Sequence, residues 1–337
     1  MKKTVVFDEY NEIDIKPSEL LQKYTQLIER DIRTFFSKGK RLKSCSCPAC
    51  QSKGKNSSFR RFGMRYVECG NCSTLYISPR PDDTVVDEYY NSSTARTFWH
   101  GELSKYTSQK RLEKIIRPRF EWIMDSVQEY LPGAEHIADI HTEQYGYIEE
   151  LKNDRFFKRK TLLNPSKFLK KDGLEGIDTV DVPLDKTRLK NEVDVVAIFE
   201  VADRTSGVDK LFKSIRQILK VDGLCFMTGI LISGFDLQML WDKAENIFPP
   251  DRLNVFSVEG LQILFERYDF ECLEFSTPGI LDVEIVENFI KHNPQAELPR
   301  FMKYLLKNSS AETKKLFQEF LQENLLSSYA RILIRKK

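Results

Sequence analysis

Long apolar runs are missing from this 337-residue chain. No stretch approaches the ~18 uninterrupted apolar residues of a membrane span, so a membrane-embedded protein is not expected. The opening MKKTVVFDEYNEID has two lysines but no following apolar core of ~7–15 residues, so no export signal is expected. A cytoplasmic setting follows, in which seven cysteines are thiols or metal ligands rather than disulfides. The Asn-x-Ser triplets at Asn56, Asn91 and Asn308 are then chance matches. No Ser-His-Asp triad, Walker-type phosphate loop, pair of catalytic carboxylates, internal repeat or low-complexity tract can be assembled. Acidic residues are absent from 38–67, which carries nine Lys or Arg although the whole chain has a net charge of only +2. That imbalance suits a cationic shell around a thiolate-metal centre, or a patch for phosphates or RNA. Glycine is missing where a phosphate- or nucleotide-holding turn would want it. Residues 136–153, HIADIHTEQYGYIEELKN, read as strand, turn and helix, with Gly146 the lone glycine.

What is present is a soluble globular composition, 41% hydrophobic and 30% charged, long enough for one large domain or a large and a small one. Cys47 and Cys50 form one C-x-x-C and Cys69 and Cys72 a second, with eighteen residues between them. This lies within the spacing of four-thiolate zinc sites. Two residues between thiols let a tight turn aim both sulfurs at one ion, and Gly70 suits such a turn. The segment 59–68 alternates like a strand that returns the chain to the metal. Four sulfurs leave no open coordination position, so the zinc is expected to be structural. Cys45 is a spare thiol, and Cys225 and Cys272 fall in expected strands as core residues.

Residues 17–37 place Leu20, Leu21, Tyr24, Leu27, Ile28 and Ile32 at helical spacing behind Pro17. Asp83 is positioned to cap a short helix, and 108–130 forms a longer one that Pro118 should kink. From residue 131 the rhythm changes. Short apolar runs at 137–140, 161–163, 193–199, 223–228, 271–276 and 330–334 alternate with helices such as 208–219 and 257–268. That alternation predicts a mostly parallel sheet covered on both faces, with the last run at an edge. In STPGILDVEIV (276–286) a Pro-Gly turn leads to Asp282 as a helix cap.

A cysteine ribbon followed by such a domain resembles class I S-adenosylmethionine-dependent methyltransferases with an N-terminal zinc-binding module, of the sugar-nucleotide and surface-polysaccharide type. The residues that carry the resemblance are YVECGNCSTLYISPRP (66–81), RPRFEWIMDSV (117–127) and the long segment 234–286 beginning GFDLQMLWDKAENIFPPDRLNVFS. The resemblance implies an α/β, Rossmann-like sheet, mostly parallel with the last strand antiparallel. It also implies a helical segment over 1–43, a zinc ribbon over 44–80, a helical linker or lid over 81–130 and the methyltransferase-like domain over 131–337. The cofactor positions would fall on Asp139, His141, Tyr145, Gly146, Asn164, Phe199 and Glu200.

Several positions depart from the family pattern. Its three turn glycines fall on His141, Glu143 and Tyr145, whose side chains would fill space the cofactor needs. The ribose-binding carboxylate is replaced by Asn164. The Glu-His pair after the fourth strand becomes Asp203 and Arg204, and the histidine after the proline pair becomes Arg252, which cannot accept a proton near neutral pH. No catalytic base is identified. Arg204 and Arg252 in one cleft would suit a phosphate or carboxylate ligand. His141 with Glu143 is a possible acid-base pair, and His100 is read as packing in an aromatic stretch. Three functions stay open. One is methyl transfer from S-adenosylmethionine to a small molecule such as a sugar-nucleotide. The second is a non-catalytic methyltransferase-like subunit that binds a protein partner or an altered ligand. The third is nucleic-acid binding through the basic ribbon, testable at Lys53, Lys55, Arg60 and Arg61.

Overall fold

A computed structural model describes residues 17–36, 42–141, 143, 145–169 and 174–337, without the side chains of Ser18 and Tyr145. Residues 1–16 of the expected N-terminal segment, residue 37 of its helix and residues 38–41 of the basic stretch lie outside the described residues.

Thirteen strands occur among the described residues. They are β1 (Leu42–Lys43), β2 (Lys55–Arg61), β3 (Met64–Cys69), β4 (Leu75–Ile77), β5 (Arg80–Pro81), β6 (His136–Ile140), β7 (Arg159–Leu163), β8 (Asp178–Val180), β9 (Val193–Phe199), β10 (Leu219–Ile230), β11 (Asn254–Val255), β12 (Phe270–Ser276) and β13 (Tyr329–Lys336). A seven-stranded sheet takes the order β12-β13-β10-β9-β6-β7-β8. From β10 through β8 the pairs are parallel, whereas β13 runs antiparallel to both β10 and β12. The fold is therefore α/β and Rossmann-like, mostly parallel with a reversed last strand.

The buried central strands explain the continuous apolar runs: six of the seven residues of β9 are buried and all five of β6. The chain enters at β6, builds outward through β7 and β8, then crosses to the other side of β6 to lay down β9 and β10. The order reverses between β6 and β9, where open α/β sheets leave a crevice at the carboxyl ends of the strands. Two expectations change here. β13 is internal, because it pairs on both sides, and the short β8 escaped notice because its burial is slight.

The cysteine ribbon belongs to a four-stranded sheet, β11-β4-β3-β2. The alternation over 59–68 is split into a hairpin that turns at Phe62 and Gly63, φ 49° and 81°. Two left-handed residues in a row match the right-handed twist of the flanking strands. The fourth strand of this sheet is lent by residues 254 and 255, so the ribbon is stitched into the α/β body.

The helix Ser18–Phe36 buries Tyr24, Ile28, Ile32 and Phe36, a 4-4-4 stripe. The helix Asp83–Ser92 begins one residue earlier than a cap at Asp83 would require, with Asp82 at the N-cap and no side-chain cap bond. Residues 94–130 form a nearly unbroken helical run interrupted by π-turns at Trp99–Leu103 and Leu112–Ile116. Pro118 lies within this run, in the first turn of the helix Arg117–Tyr130 and directly after the π-turn Leu112–Ile116, so the expected interruption of a regular helix takes the form of that π-turn. Asp282 is not a cap. Its buried carboxylate accepts from Ser327 Oγ (2.5 Å), the Ser328 amide (2.6 Å) and Gln318 Nε2 (2.9 Å), pinning the entry to β13. No helix among the described residues is long and apolar enough to cross a membrane.

Candidate functional site: a cysteine centre and an ion-clamped cleft

Each C-x-x-C closes on itself before it meets the other. The Gln51 amide donates to the Cys47 carbonyl and the Ser73 amide to the Cys69 carbonyl, with Gln51 and Ser73 both left-handed at φ 63° and 56°. Two matched turns thus present their thiols inward. The Sγ atoms of Cys47 and Cys72 are 3.6 Å apart, those of Cys50 and Cys69 are 3.5 Å apart, and all four lie within 4.8 Å of one another. Four ligands at ~2.3 Å from a tetrahedral zinc have edges of about 3.8 Å, so these residues fit the ion. Cys45 is set apart, its Sγ 3.6 Å from the Ile77 carbonyl. Gly70 serves close approach: a Cβ there would lie 3.2 Å from Asn56 Oδ1 and 3.3 Å from the Gly54 backbone.

The centre is anchored to the α/β body. Arg267 donates to the carbonyls of Pro48 and Ala49, and Ser257 Oγ donates to the carbonyl of Cys72. Gly260 lets the helix Val258–Arg267 butt against the ribbon, since a Cβ would come within 2.2 Å of Thr74 Oγ1. The basic character is partly spent locally. Arg61 donates to the carbonyls of Asp242 and Ala244, and Arg60 to that of Gly63, while Lys53 and Lys55 stay exposed.

At the carboxyl ends of β6 to β9 lies a cleft of about 210 Å³. His141, Asn164 and Glu200, the residues that follow β6, β7 and β9, are left-handed at φ 57°, 48° and 60°. Non-glycine residues in that region carry strain of order 1 kcal/mol or more. His141 and Asn164 hold each other, with Nδ1 and Nδ2 3.3 Å apart. Burial lowers the pKa of His141.

Glu143 dominates the wall. Its Oε2 lies 2.5 Å from Arg96 Nη2 and 2.8 Å from Arg204 Nη1. Burial would raise its pKa, but the two guanidiniums, Arg96 foremost, outweigh burial and hold the carboxyl at about 2. Glu143 therefore pairs with arginines and makes no hydrogen bond to His141. Glu200 is held similarly: its Oε2 is 3.0 Å from Arg252 Nη2 and 3.6 Å from Arg204 Nη2, and its Oε1 is 3.8 Å from Arg119 Nη2. Against burial, these cations lower its pKa. Arg252 also reaches Asp203 Oδ2 at 3.5 Å. Burial pushes the Asp203 carboxyl up to about 7, Arg252 opposing and Glu200 reinforcing the rise. Asp251 completes the web by accepting from Tyr24 Oη at 2.9 Å and Tyr90 Oη at 2.7 Å.

Arg204 and Arg252 do share this region, but their charge is answered by the protein's own carboxylates instead of facing an open anion site. His100 packs and also joins the clamp: it stacks on Phe168 at 4.3 Å, its Nε2 lies 3.2 Å from Arg96 Nη2, and burial, with Arg96 beside it, lowers its pKa to about 4. Of the other expected cofactor positions, Asp139 is buried in β6 opposite Leu162 and Ala197. Phe199 is covered by the Arg119 guanidinium at 4.6 Å and by the edge of Tyr147 at 5.4 Å. Gly146 faces away from the cleft, where a Cβ would meet Ile116 Cδ1 at 3.0 Å and Leu112 Cδ1 at 3.1 Å. The side chain of Tyr145, and residues 142 and 144 of the turn, lie outside the described residues. Sequence reading missed the roles of Arg96, Arg119 and Asp251, which meet their partners only through the fold; Arg119 and Asp251 lie inside segments that carry the resemblance, but nothing in those segments singles them out.

No family model matches the sequence, and no curated protein does. Among solved structures the chain is similar to the [4+2]-cyclase SpnF, at 15% identity and a TM-score of 0.41, over 64% of this chain and 81% of that one. It is also similar to a SAM-dependent methyltransferase from Archaeoglobus fulgidus, at 13% identity and 0.42, over 64% and 94%. A S-adenosylmethionine-dependent methyltransferase from Mesorhizobium loti gives 14% and 0.39, over 67% and 100%. Likeness at this level says nothing about ligand or reaction.

Proposed function

We propose that the chain is a methyltransferase-like protein that has given up methyl transfer and serves as a ligand-binding or scaffold subunit carrying a structural zinc. The observation behind this reading is the clamp on Glu143. The resemblance to class I methyltransferases would lay the zwitterionic end of S-adenosylmethionine along the turn after β6. There a carboxylate is fixed between two guanidiniums. Admitting the cofactor would break a largely buried ion pair, which costs about 3–5 kcal/mol when one partner is removed. The cofactor does not fit these residues as they stand. Among the described residues the two histidines beside it are both engaged, His141 by Asn164 and His100 by Arg96, whose Nη2 lies 3.2 Å from its Nε2.

Zinc does fit, at Cys47, Cys50, Cys69 and Cys72. Bound there it would cross-link the two C-x-x-C turns and fix the small sheet that β11 completes. The ribbon is then a permanent part of the body, suited to holding a partner or the cleft in place.

Calorimetry with S-adenosylmethionine and its demethylated product tests the reading. No micromolar binding of either, and no methyl transfer to sugar-nucleotide acceptors, is expected. Micromolar affinity together with turnover would restore the enzyme.

A further inference from the structure

Between β12 and β13 the chain makes three helices, Asp282–His292, Arg300–Asn308 and Ala311–Glu323. Exposed apolar side chains gather on and just after the last two. Of the eight large ones that stand exposed among the described residues, five fall within 301–326: Phe301, Tyr304, Leu316, Phe320 and Leu326. Single exposed apolar residues are ordinary, whereas a concentration of them marks an interaction surface. Both helices pack on Asp282–His292. Lys314 binds Glu287 at 2.9 Å, and Gln318 bonds Asp282 and the Val283 amide. Phe320 is held in place too: it stacks on Phe317, which meets the edge of Phe235.

Helical periodicity sorts the outward faces. In Arg300–Asn308 the inner side holds the buried Leu306 with the half-buried Met302 and Leu305. The outer side carries Phe301 and Tyr304 beside Arg300 and Lys307. This helix has no acidic residue. In Ala311–Glu323 the inner side holds Gln318, Leu321 and Gln322. The outer side carries Leu316 and Phe320 beside Glu312, Glu323 and the half-buried Glu319. Its Lys314 is taken by Glu287, and Lys315 lies roughly 140° round the helix from Phe320. Arg300, Lys307, Glu312 and Glu319 have no ion-pair partner among the described residues. One helix thus offers aromatics flanked by cations, and the other apolar groups flanked by carboxylates.

These faces complement each other, and a two-fold axis between two molecules brings them together twice. We infer that this helix pair is a self-complementary docking surface for a second copy of the chain. Arg300–Asn308 of one protomer lies on Ala311–Glu323 of its partner, and the reverse. The three exposed aromatics offer on the order of 400 Å² per protomer, about half of the ~800 Å² that each partner buries in a standard interface. An anionic lipid surface would attract the first helix but repel the carboxylates of the second. None of these residues lines the cleft, so dimerisation and the exclusion of S-adenosylmethionine stand or fall separately.

Sedimentation velocity and equilibrium on the full-length, zinc-loaded protein should show a dimer with a micromolar or tighter dissociation constant. Phe301→Ser should weaken it roughly tenfold or more. Arg300→Glu with Lys307→Glu, and separately Glu312→Lys with Glu319→Lys, put like charges across both contacts and should each weaken it roughly hundredfold. Mixed together, the two double variants should pair again, because each meets opposite charge on the other at both contacts. Thermal melts check that the variants fold. If a double variant does not, the wild-type and Phe301→Ser measurements decide. A monomeric wild type, a dimer equally tight in any folded variant, or folded double variants that stay apart when mixed would overturn the inference. Monomeric protein that instead cosediments with phosphatidylcholine–phosphatidylserine vesicles would also overturn it and assign the face to a lipid surface.

Discussion

The cysteine centre and the cleft are both built from facing charged or chargeable groups, yet they differ in how far apart along the chain those groups lie. All four thiols come from 26 consecutive residues, and each pair is shaped by its own turn. In the cleft, Glu143 meets Arg96 and Arg204 across 47 and 61 residues, and Glu200 meets Arg252 across 52. A local site declares its geometry in its spacing. A nonlocal one exists only once the sheet has brought strand ends together.

Removing the metal should separate the two regions most sharply. Structural zinc contributes ~10–16 kcal/mol in zinc-finger peptides, so Cys69→Ser should lose one equivalent of zinc. Because β4 pairs with β11, the unfolding transition of the whole chain should fall and broaden with it. Metal analysis and calorimetry check this. An unchanged melting profile in zinc-free protein would mean the ribbon is independent of the body.

Arg96→Ala attacks the other region. It leaves Glu143 with one partner and should cost about 3–5 kcal/mol in chemical denaturation, while zinc content stays at one. A loss under 1 kcal/mol would show that the clamp is loosely held.

The acid response divides the cleft itself. Glu143, whose folded pKa of about 2 lies below its unfolded value, gives stability that is present above about pH 4.5 and lost as pH falls toward 2. Asp203, raised to about 7, does the opposite: its contribution is complete below about pH 3.8 and is lost as pH rises through 7. Asp203→Asn should therefore gain on wild type as pH rises from 4 to 8, by on the order of 2–4 kcal/mol. Melts across that range that stay parallel for the two proteins would dismiss the assignment.

Gly146→Ala is the mildest change. Its Cβ meets only the ends of the Ile116 and Leu112 side chains, and the helix gains ~1 kcal/mol from losing a glycine. Net stability, read by chemical denaturation, should move by less than about 1 kcal/mol. A loss of several kcal/mol would show that Leu112 and Ile116 cannot give way to the added methyl.

The sequence made the sheet legible because buried parallel strands leave unbroken apolar runs, as in β6 and β9. β8 was invisible for the same reason in reverse, since two exposed residues and one half-buried one leave no pattern. β13 was misplaced at an edge because pairing on both sides is a property of the sheet, not of the strand's own residues. The four thiols were legible from spacing alone. Glu143 was set beside His141, and Arg204 beside Arg252, whereas the fold pairs Glu143 with Arg96 and Arg204 and gives Arg252 to Glu200 and Asp203. Arg96 sits in STARTF, which is indistinguishable from any exposed helical turn until the fold buries it.

The loan of β11 to the ribbon has a consequence for biosynthesis. The four cysteines and β2 to β4 leave the ribosome together, but Asn254 and Val255 follow some 178 residues after Ile77 (255 − 77). At ~5–20 residues per second this is a wait of roughly 9–36 s. During that interval the nascent ribbon has an open strand edge, and a metal captured early would hold that edge in register until its last strand arrives.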